Sequence, residues 1–144
     1  MRTRARSPAH GAVSAAALVA LVASCVTTTT RYFLPDPANP RLNVDGATDM
    51  LEQFLRLQCP DRIAAKKRDT GEARATVLVD SLGLVTRAEL IEATGEESLD
   101  GLFGTVAAQL RLDAPSGRTP ATGHVRIGYS CAPGTAVATV RVEG

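Results

Sequence analysis

The sequence predicts an α+β domain in which a small antiparallel β-sheet of three strands, with a fourth left open, carries helices on one face. Three patterns predict this fold class. Residues 73–93 alternate between apolar and polar side chains on both sides of a turn, which is typical of a β-hairpin. Residues 99–112 carry apolar side chains at helical spacing, and residues 124–131 alternate again. Because the helix stripe and the apolar face of the sheet must both leave water, we expect them to pack together.

A helix is predicted ahead of the hairpin, with Thr48 or Asp49 as its N-cap. Pro60 is expected to end it, because proline suits the first turn of a helix and not its interior. A second helical segment is then expected over residues 61–68, ended by Thr70-Gly71. The apolar residues that fall near helical spacing are Met50, Leu51, Phe54, Leu55 and Leu57.

The hairpin turn has aspartate and glycine, Asp80 and Gly83, at the first and fourth positions that favour such turns. The buried face of the first hairpin strand is predicted to carry Ala75, Val77 and Val79. After the hairpin, Ser98 is a suitable N-cap for the helix over residues 99–112. The apolar stripe of that helix consists of Leu99, Leu102, Phe103, Val106, Ala107 and Leu110.

The third strand, over residues 124–131, is predicted to bury one side chain in two. Its apolar side consists of Val125, Ile127, Tyr129 and Cys131. Residues 135–142 follow the turn signal Pro133-Gly134 and alternate as well. They are left open as a fourth strand that would pair with the third.

The N-terminus has the features of an export signal. Three arginines, at positions 2, 4 and 6, precede an apolar segment over residues 11–23, and small residues stand just before Cys25. This pattern resembles the lipobox of bacterial lipoproteins, in which the cysteine receives a lipid and becomes the mature N-terminus. An ordinary cleaved signal and a retained membrane helix are the alternatives, the latter with an apolar core shorter than the roughly 20 residues a spanning helix needs.

These observations divide the chain into a signal peptide (1–24), a lipidated N-terminus and tether (25–47) and a domain (48–144). The tether is rich in threonine and proline, residues with little helix or strand propensity in this arrangement. Its short apolar cluster, Tyr32 to Leu34, is expected to pack back onto the domain, with partner binding as the alternative.

Composition argues against several function classes. Without residues 1–24, 120 of the 144 residues remain, with 13 Lys and Arg against 15 Asp and Glu, so nucleic acid is not an expected partner. The acidic residues Glu96, Glu97 and Asp100 are expected to favour a helix N-terminus rather than perform acid-base chemistry, and His124 to face solvent. We therefore expect no catalytic residues, no metal site and no cofactor.

Three cysteines occur in the chain. If Cys25 carries lipid, Cys59 and Cys131 form an even set in an oxidising compartment, which favours a disulfide between them. Two buried thiols are the alternative.

Residues 58–132 resemble the TonB C-terminal domain, a periplasmic module with which energy transducers hold outer-membrane transporters. Four pieces carry the resemblance, in the order and spacing of that family. They are Cys59-Pro60 with Ile63-Ala64-Ala65 and Gly71; residues 75–80 with Leu82-Gly83-Leu84-Val85; Ala93-Thr94-Gly95 with Ser98-Leu99-Asp100; and Ala114-Pro115 with Gly117. Cysteine stands at position 59 where the family commonly has an aromatic residue.

The resemblance implies binding by β-augmentation, in which an extended segment of an envelope protein, such as an outer-membrane transporter, adds to a sheet edge. By position, the receiving edge would be the strand His124, Val125, Arg126, Ile127, Gly128, Tyr129 and Ser130, with residues 124, 126, 128 and 130 facing solvent. The same edge could pair with a second copy of the chain. The long Pro-rich spacer of energy transducers is not seen, so we expect binding without force transmission.

The alternative is a structural envelope lipoprotein in which residues 135–142 cap that edge internally and no peptide binds there. In both readings the lipid anchor holds the domain on the periplasmic side of a membrane. Val26, in place of an aspartate after the cysteine, favours the outer membrane.

Overall fold

The computed structural model describes residues 31–113 and 120–143. Within these ranges the chain forms five strands and two helices, which confirms the predicted α+β class. In chain order they are β1 (Arg31–Phe33), α1 (Val44–Ala64), β2 (Thr70–Val79), β3 (Val85–Glu92), α2 (Glu97–Ala108), β4 (Ala121–Ala132) and β5 (Thr135–Glu143).

The strands form one open antiparallel sheet in the order β1-β3-β2-β4-β5. Helix α1 packs on β4 and β5, and α2 packs on β1, β2 and β3. Both helices cover the same face, because the alternate residues of β2 and β4 that were predicted to point inward are buried with them in one apolar cluster. The fourth strand left open in the sequence is therefore present as β5, and it pairs with β4.

The hairpin matches its prediction. Gly83 has a φ of 82°, a left-handed conformation that glycine adopts without steric cost. The Asp80 carboxylate accepts hydrogen bonds from the backbone N–H groups of Leu82 and Leu84, both at 2.9 Å. These contacts fix the turn by the aspartate and glycine chemistry that the sequence indicates.

Helix α1 differs from its prediction at both ends. It begins at Val44, because the Asn43 side chain accepts a hydrogen bond from Gly46 N at 2.7 Å and caps it there, rather than at Thr48 or Asp49. It also continues through Pro60 to Ala64 as one helix. Pro60 is exposed, so the carbonyl that loses its helical partner can meet water, while Cys59 and Arg62 on the buried face hold the last turn in place. Thr70-Gly71 begins β2 instead of ending a helix.

The predicted tether is wrong for residues 31–47, which belong to the fold. Strand β1 pairs with β3. Of the apolar cluster expected to pack on the domain, Phe33 packs against the core, whereas the Tyr32 and Leu34 side chains are exposed. The buried Gln109 side chain donates to the backbone carbonyls of Asp36, Asn39 and Pro40 at 2.9–3.2 Å. The side-chain amide of Gln109, just after α2, thus binds the backbone of a segment whose composition is that of a linker.

Helix α2 begins at Glu97, so Ser98 lies within its first turn and is not the N-cap. Asp100 organises this end instead. Its buried carboxylate accepts from the backbone N–H and the hydroxyl of Thr94, both at 2.7 Å. The helix ends at Ala108, after which Leu110 and Arg111 form bridges to Leu42 and Leu84.

Gly104 is a position where a small change should release β1. A Cβ added there would overlap the ring of Phe33, which lies directly on the glycine. We expect Gly104→Ala to lower the free energy of unfolding by about 1–3 kcal/mol through overpacking and to remove hydrogen-exchange protection from residues 31–33. Gly101→Ala is the matched control on the same helix, because its Cβ would meet only the end of the flexible Arg31 side chain at 3.3 Å. Equal effects of the two substitutions would refute the role of the Phe33 contact.

Candidate functional site

Strand β4, predicted as the receiving edge over residues 124–130, lies inside the sheet. It pairs with β2 on one side, from Ala121 to Ser130, and with β5 on the other, from His124 to Ala132. Both sides of its backbone are therefore occupied, and the prediction of a receiving edge at these residues is wrong. The alternative, in which residues 135–142 cover this strand, is the arrangement observed.

The free edge at this end of the sheet is β5. Among residues 31–113 and 120–143, no strand pairs with its other side. Ala138 N–H points away from β4, because it donates to a side chain of α1 rather than to the ladder. Backbone groups of alternate residues in a strand point the same way, so the outward-facing N–H and C=O groups belong to Ala136, Ala138, Val140 and Val142. Such a row of groups can pair with an extended chain.

Glu52 of α1 occupies one of these outward-facing groups. Its Oε1 accepts from Ala138 N at 3.3 Å, and its Oε2 lies 4.0 Å from a guanidinium nitrogen of Arg56. The Arg56 side chain is 67% exposed, so its pairing with Glu52 is weak. Glu52 thus places a negative charge beside the middle of β5 that has no strong partner within the described part of the chain.

A groove adjoins the start of β5. It lies between α1 and the turn from β4 to β5 and has a volume of about 440 Å³. Its apolar walls come from Pro60, Ile63, Pro133 and Ala136, and Arg56 lies at its side. Ala136 lines this groove with its side chain, and its backbone N–H and C=O groups are among those that face away from β4. A strand added to β5 would therefore place a side chain in the groove.

The sheet face opposite the helices carries a row of alternating charges. Arg74 pairs with Glu92 at 3.7 Å and with Glu143 at 3.1 Å, and Arg126 pairs with Glu143 and, at 2.6 Å, with Glu72. These contacts lower the pKa of Glu143, chiefly through the hydrogen bond from Arg126, and raise the pKa of Arg126, chiefly through the hydrogen bond to Glu72. The row links β2, β3, β4 and β5 across the exposed face. We assign it a structural role, because each charge in it is already paired.

A buried cation lies beneath the sheet at the end of α1. The Arg62 side chain is 7% exposed and makes two parallel hydrogen bonds to the Glu96 carboxylate, at 2.5 and 2.6 Å. It also donates to the carbonyl of Arg68 and to the Tyr129 hydroxyl, both at 2.9 Å. The hydrogen bond from Arg62 lowers the pKa of Glu96, and that to Glu96 raises the pKa of Arg62. This is a structural ion pair that ties α1 to the start of α2.

Tyr129 completes the cluster. Its ring packs on Arg62, whose guanidinium carbon lies 5.1 Å from the ring centroid, and on Gly71. A Cβ at position 71 would lie 2.6 Å from the ring, so glycine is needed for this close approach. Burial raises the pKa of the Tyr129 phenol. The hydroxyl therefore stays protonated and serves as a hydrogen-bond partner.

The lowered pKa of Glu96 predicts a loss of stability in acid. A carboxyl group whose pKa is lower in the folded state than in the unfolded state stabilises the protein at pH values above its pKa in the unfolded state, about 4.3. That stabilisation is lost as the pH falls through the pKa in the folded state. We expect Glu96→Gln to flatten the dependence of the free energy of unfolding on pH below about 4.3, as measured by urea denaturation. Glu97→Gln, at an exposed neighbour on α2, is the control. An unchanged acid dependence in Glu96→Gln would contradict the assignment.

Other predicted residues have clear positions. Cys59 and Cys131 meet, with their sulfur atoms 2.05 Å apart, as a disulfide requires. The three acidic residues near α2 are separated in role, since Glu96 binds Arg62, Asp100 binds Thr94 and Glu97 is exposed. The imidazole of His124 lies 3.3 Å from the Thr76 hydroxyl on the open face of the sheet. Cys25 and the segment Ala114-Pro115 with Gly117 lie outside the described residues.

Sequence reasoning missed Glu52 and Arg62. Both occur on a helix with exposed charges at several neighbouring positions, so neither differs in type from its surroundings. Arg62 does fall on the buried stripe with Leu51, Leu55 and Cys59, and a cation on such a stripe is the one signal that could have been used. The position of Glu52 beside β5 depends on tertiary packing and left no pattern in the sequence.

No helix within residues 31–113 and 120–143 is long and apolar enough to span a membrane. In the same ranges, no group of three or more histidine, cysteine, aspartate or glutamate side chains is placed to hold a metal ion. Comparison of the chain with models of protein families, with curated proteins and with solved structures finds no match.

Proposed function

We propose that this chain is a lipid-anchored, non-enzymatic binding domain of the bacterial envelope that receives an extended segment of another envelope protein along β5. The export signal and the cysteine at position 25 support the anchor, and the resemblance to the TonB C-terminal domain supports the mode of binding. An outer-membrane transporter is the partner class that this resemblance implies. The receiving strand is β5 and not the interior strand β4.

The observation that carries the proposal is the free edge of β5. The strand is nine residues long, contains mostly β-branched residues and alanine, and ends an open sheet. Natural proteins commonly shorten, charge or cover such edges, because unpaired backbone groups recruit other strands. Here the opposite edge is only three residues long, whereas β5 is left at full length.

The test is photo-cross-linking in intact envelopes, with a photo-reactive residue at Val137 in the full-length protein. Val137 is 41% exposed and lies on β5, while Leu82, 68% exposed in the hairpin turn, is an apolar control position distant in sequence and on another element. We expect capture of an envelope protein at position 137 and none at position 82. Equal capture at both positions, or none at 137, would contradict the proposal.

A backbone variant makes this test specific for strand addition. Val142→Pro removes an outward-facing N–H while leaving the ladder to β4 intact, which proline tolerates on an edge strand. Val142→Thr keeps that N–H and reduces only the apolar side chain. Capture at position 137 is expected to fall in Val142→Pro and to persist in Val142→Thr. The same capture in both variants would exclude main-chain pairing at β5.

A second candidate is a structural envelope lipoprotein that binds no peptide. The contact of Glu52 with Ala138 N–H favours it, because a side chain that occupies an edge N–H protects the edge from pairing. The two candidates differ in the outcome of the cross-linking experiment at position 137.

A further inference from the structure

We propose that Glu52 and the groove between α1 and the turn from β4 to β5 select the segment that binds β5. This segment carries a lysine or arginine followed, two residues later, by an apolar side chain. This inference rests on the proposed function and names the class of segment that the edge would take. It follows from three observations: the free edge, the weakly paired carboxylate and the apolar groove.

The first step concerns the backbone. A strand added to β5 needs the N–H of Ala138, which Glu52 occupies at 3.3 Å, so its carbonyl must displace the carboxylate. The displaced Glu52 loses a hydrogen-bond donor and keeps only the distant, exposed Arg56. A cation brought by the incoming strand restores a partner to it. The residue directly opposite Ala138 is the one that can do so, because opposite residues share a face and Ala138 faces α1.

The second step concerns the groove. Ala136 lies two residues before Ala138, its side chain points to the same face, and it lines the groove together with Pro60, Ile63 and Pro133. The residue of the incoming strand opposite Ala136 therefore enters an apolar site. An apolar side chain gains there by leaving water, while a charged one would lose hydration.

The third step fixes the order of the two residues. Every pairing among the five strands of the sheet is antiparallel, and a strand added in the same way runs opposite to β5. The residue opposite Ala138 then precedes the residue opposite Ala136 by two positions. The predicted order is basic residue, any residue, apolar residue.

Glu52 also disfavours a second copy of this chain as the occupant. Two β5 strands paired about a two-fold axis at their middle would bring two Glu52 carboxylates toward the same edge. Neither copy supplies a cation facing α1 from β5, since Arg141 alternates to the other face. Charge complementarity thus favours a different, basic segment.

The test uses a fluorescent peptide of about nine residues, the length of β5, with alternating threonine and valine. Its second and third valines are replaced by lysine and leucine, in that order, and every later valine by threonine, so that the lysine of the exchanged peptide has no apolar residue two positions after it. In one control peptide glutamine replaces the lysine, and in another the lysine and leucine are exchanged. We expect the first peptide to bind the signal-free protein about fivefold more tightly than either control, the upper range for an exposed ion pair.

Three protein variants locate the effect. Glu52→Gln is expected to abolish the preference for lysine, whereas Asp49→Asn, which removes an exposed charge from the same helix, is expected to keep it. Val142→Pro should weaken the binding of all three peptides. Equal binding of the lysine and glutamine peptides to the unsubstituted protein, or a preference that survives Glu52→Gln, would overturn the inference and leave binding at β5 standing. Absence of binding by every peptide, together with no capture at position 137, would overturn both proposals.

Discussion

Simultaneous replacement of Cys59 and Cys131 with alanine is expected to lower the free energy of unfolding by about 4 kcal/mol, which is the chain-entropy estimate for a loop of this size. The bond joins residues that are 72 positions apart and connects α1 to β4. Both cysteines are buried, so the alanine variant places no polar group in the core. Small domains have total stabilities of about 5–15 kcal/mol, and the loss is therefore a large share of the whole.

Urea denaturation of the oxidised, the reduced and the double-alanine proteins measures this effect. Reduction of the unsubstituted protein should give nearly the same loss as the double substitution. Reaction of Cys59 or Cys131 with a thiol reagent before any reductant is added would show that the bond is absent. A loss below about 1 kcal/mol, small against the range for native disulfides, would show that it contributes little to the fold.

Replacement of Arg62 with methionine should have the next largest effect, a loss of about 2–4 kcal/mol. Methionine keeps much of the apolar stem but leaves the Glu96 carboxylate and the Tyr129 hydroxyl without their donor. The expected loss lies below that of a fully buried pair because the Glu96 side chain is 26% exposed and can regain some water.

Arg56→Met is the matched control for this substitution. It removes the same charge from the same helix, but Arg56 is exposed and its ion pair with Glu52 is long, so we expect a change within about 0.5 kcal/mol. Addition of Glu96→Leu to Arg62→Met should recover part of the stability, because it removes the unpaired carboxylate. The pairing would be contradicted if Glu96→Leu lowered the free energy of unfolding of the Arg62→Met protein as much as it lowers that of the unsubstituted protein.

The parts of the fold that were predicted correctly are those set by local patterns. The hairpin, the inward side of β4 and the apolar stripe of α2 follow from periodicity and from one turn whose aspartate and glycine have well-defined roles. The sequence leaves β5 open as a fourth strand, but the neighbour it proposes for that strand, β4, is the one with which β5 pairs. The cysteine count favoured the pair that the fold joins, because Cys59 and Cys131 form an even set once Cys25 is assigned to the lipid.

The incorrect predictions share one cause, which is that tertiary contacts outweighed local propensity. Pro60 remains inside a helix because buried residues on both sides of it hold the helix to the sheet. Residues 31–47, predicted as part of a tether, belong to the fold because the Gln109 side chain binds their backbone and Gly104 leaves room for the Phe33 ring. The prediction that residues 124–130 form an edge was wrong because edge position is a property of sheet order, and sheet order is not encoded in the pattern of any one strand.

The docking of β1 changes how far the domain can extend from a membrane. If Cys25 carries the lipid, six residue steps separate it from Arg31, which span at most about 21 Å. Strands β1 and β5 are the two outer strands of the sheet, four strand spacings or about 19 Å apart. On the proposed function, the anchored edge and the receiving edge then lie on opposite sides of the domain. The sum of these two lengths would place the partner's segment within about 40 Å of the bilayer surface. The sheet itself, rather than a long spacer, would set the height at which the partner is held.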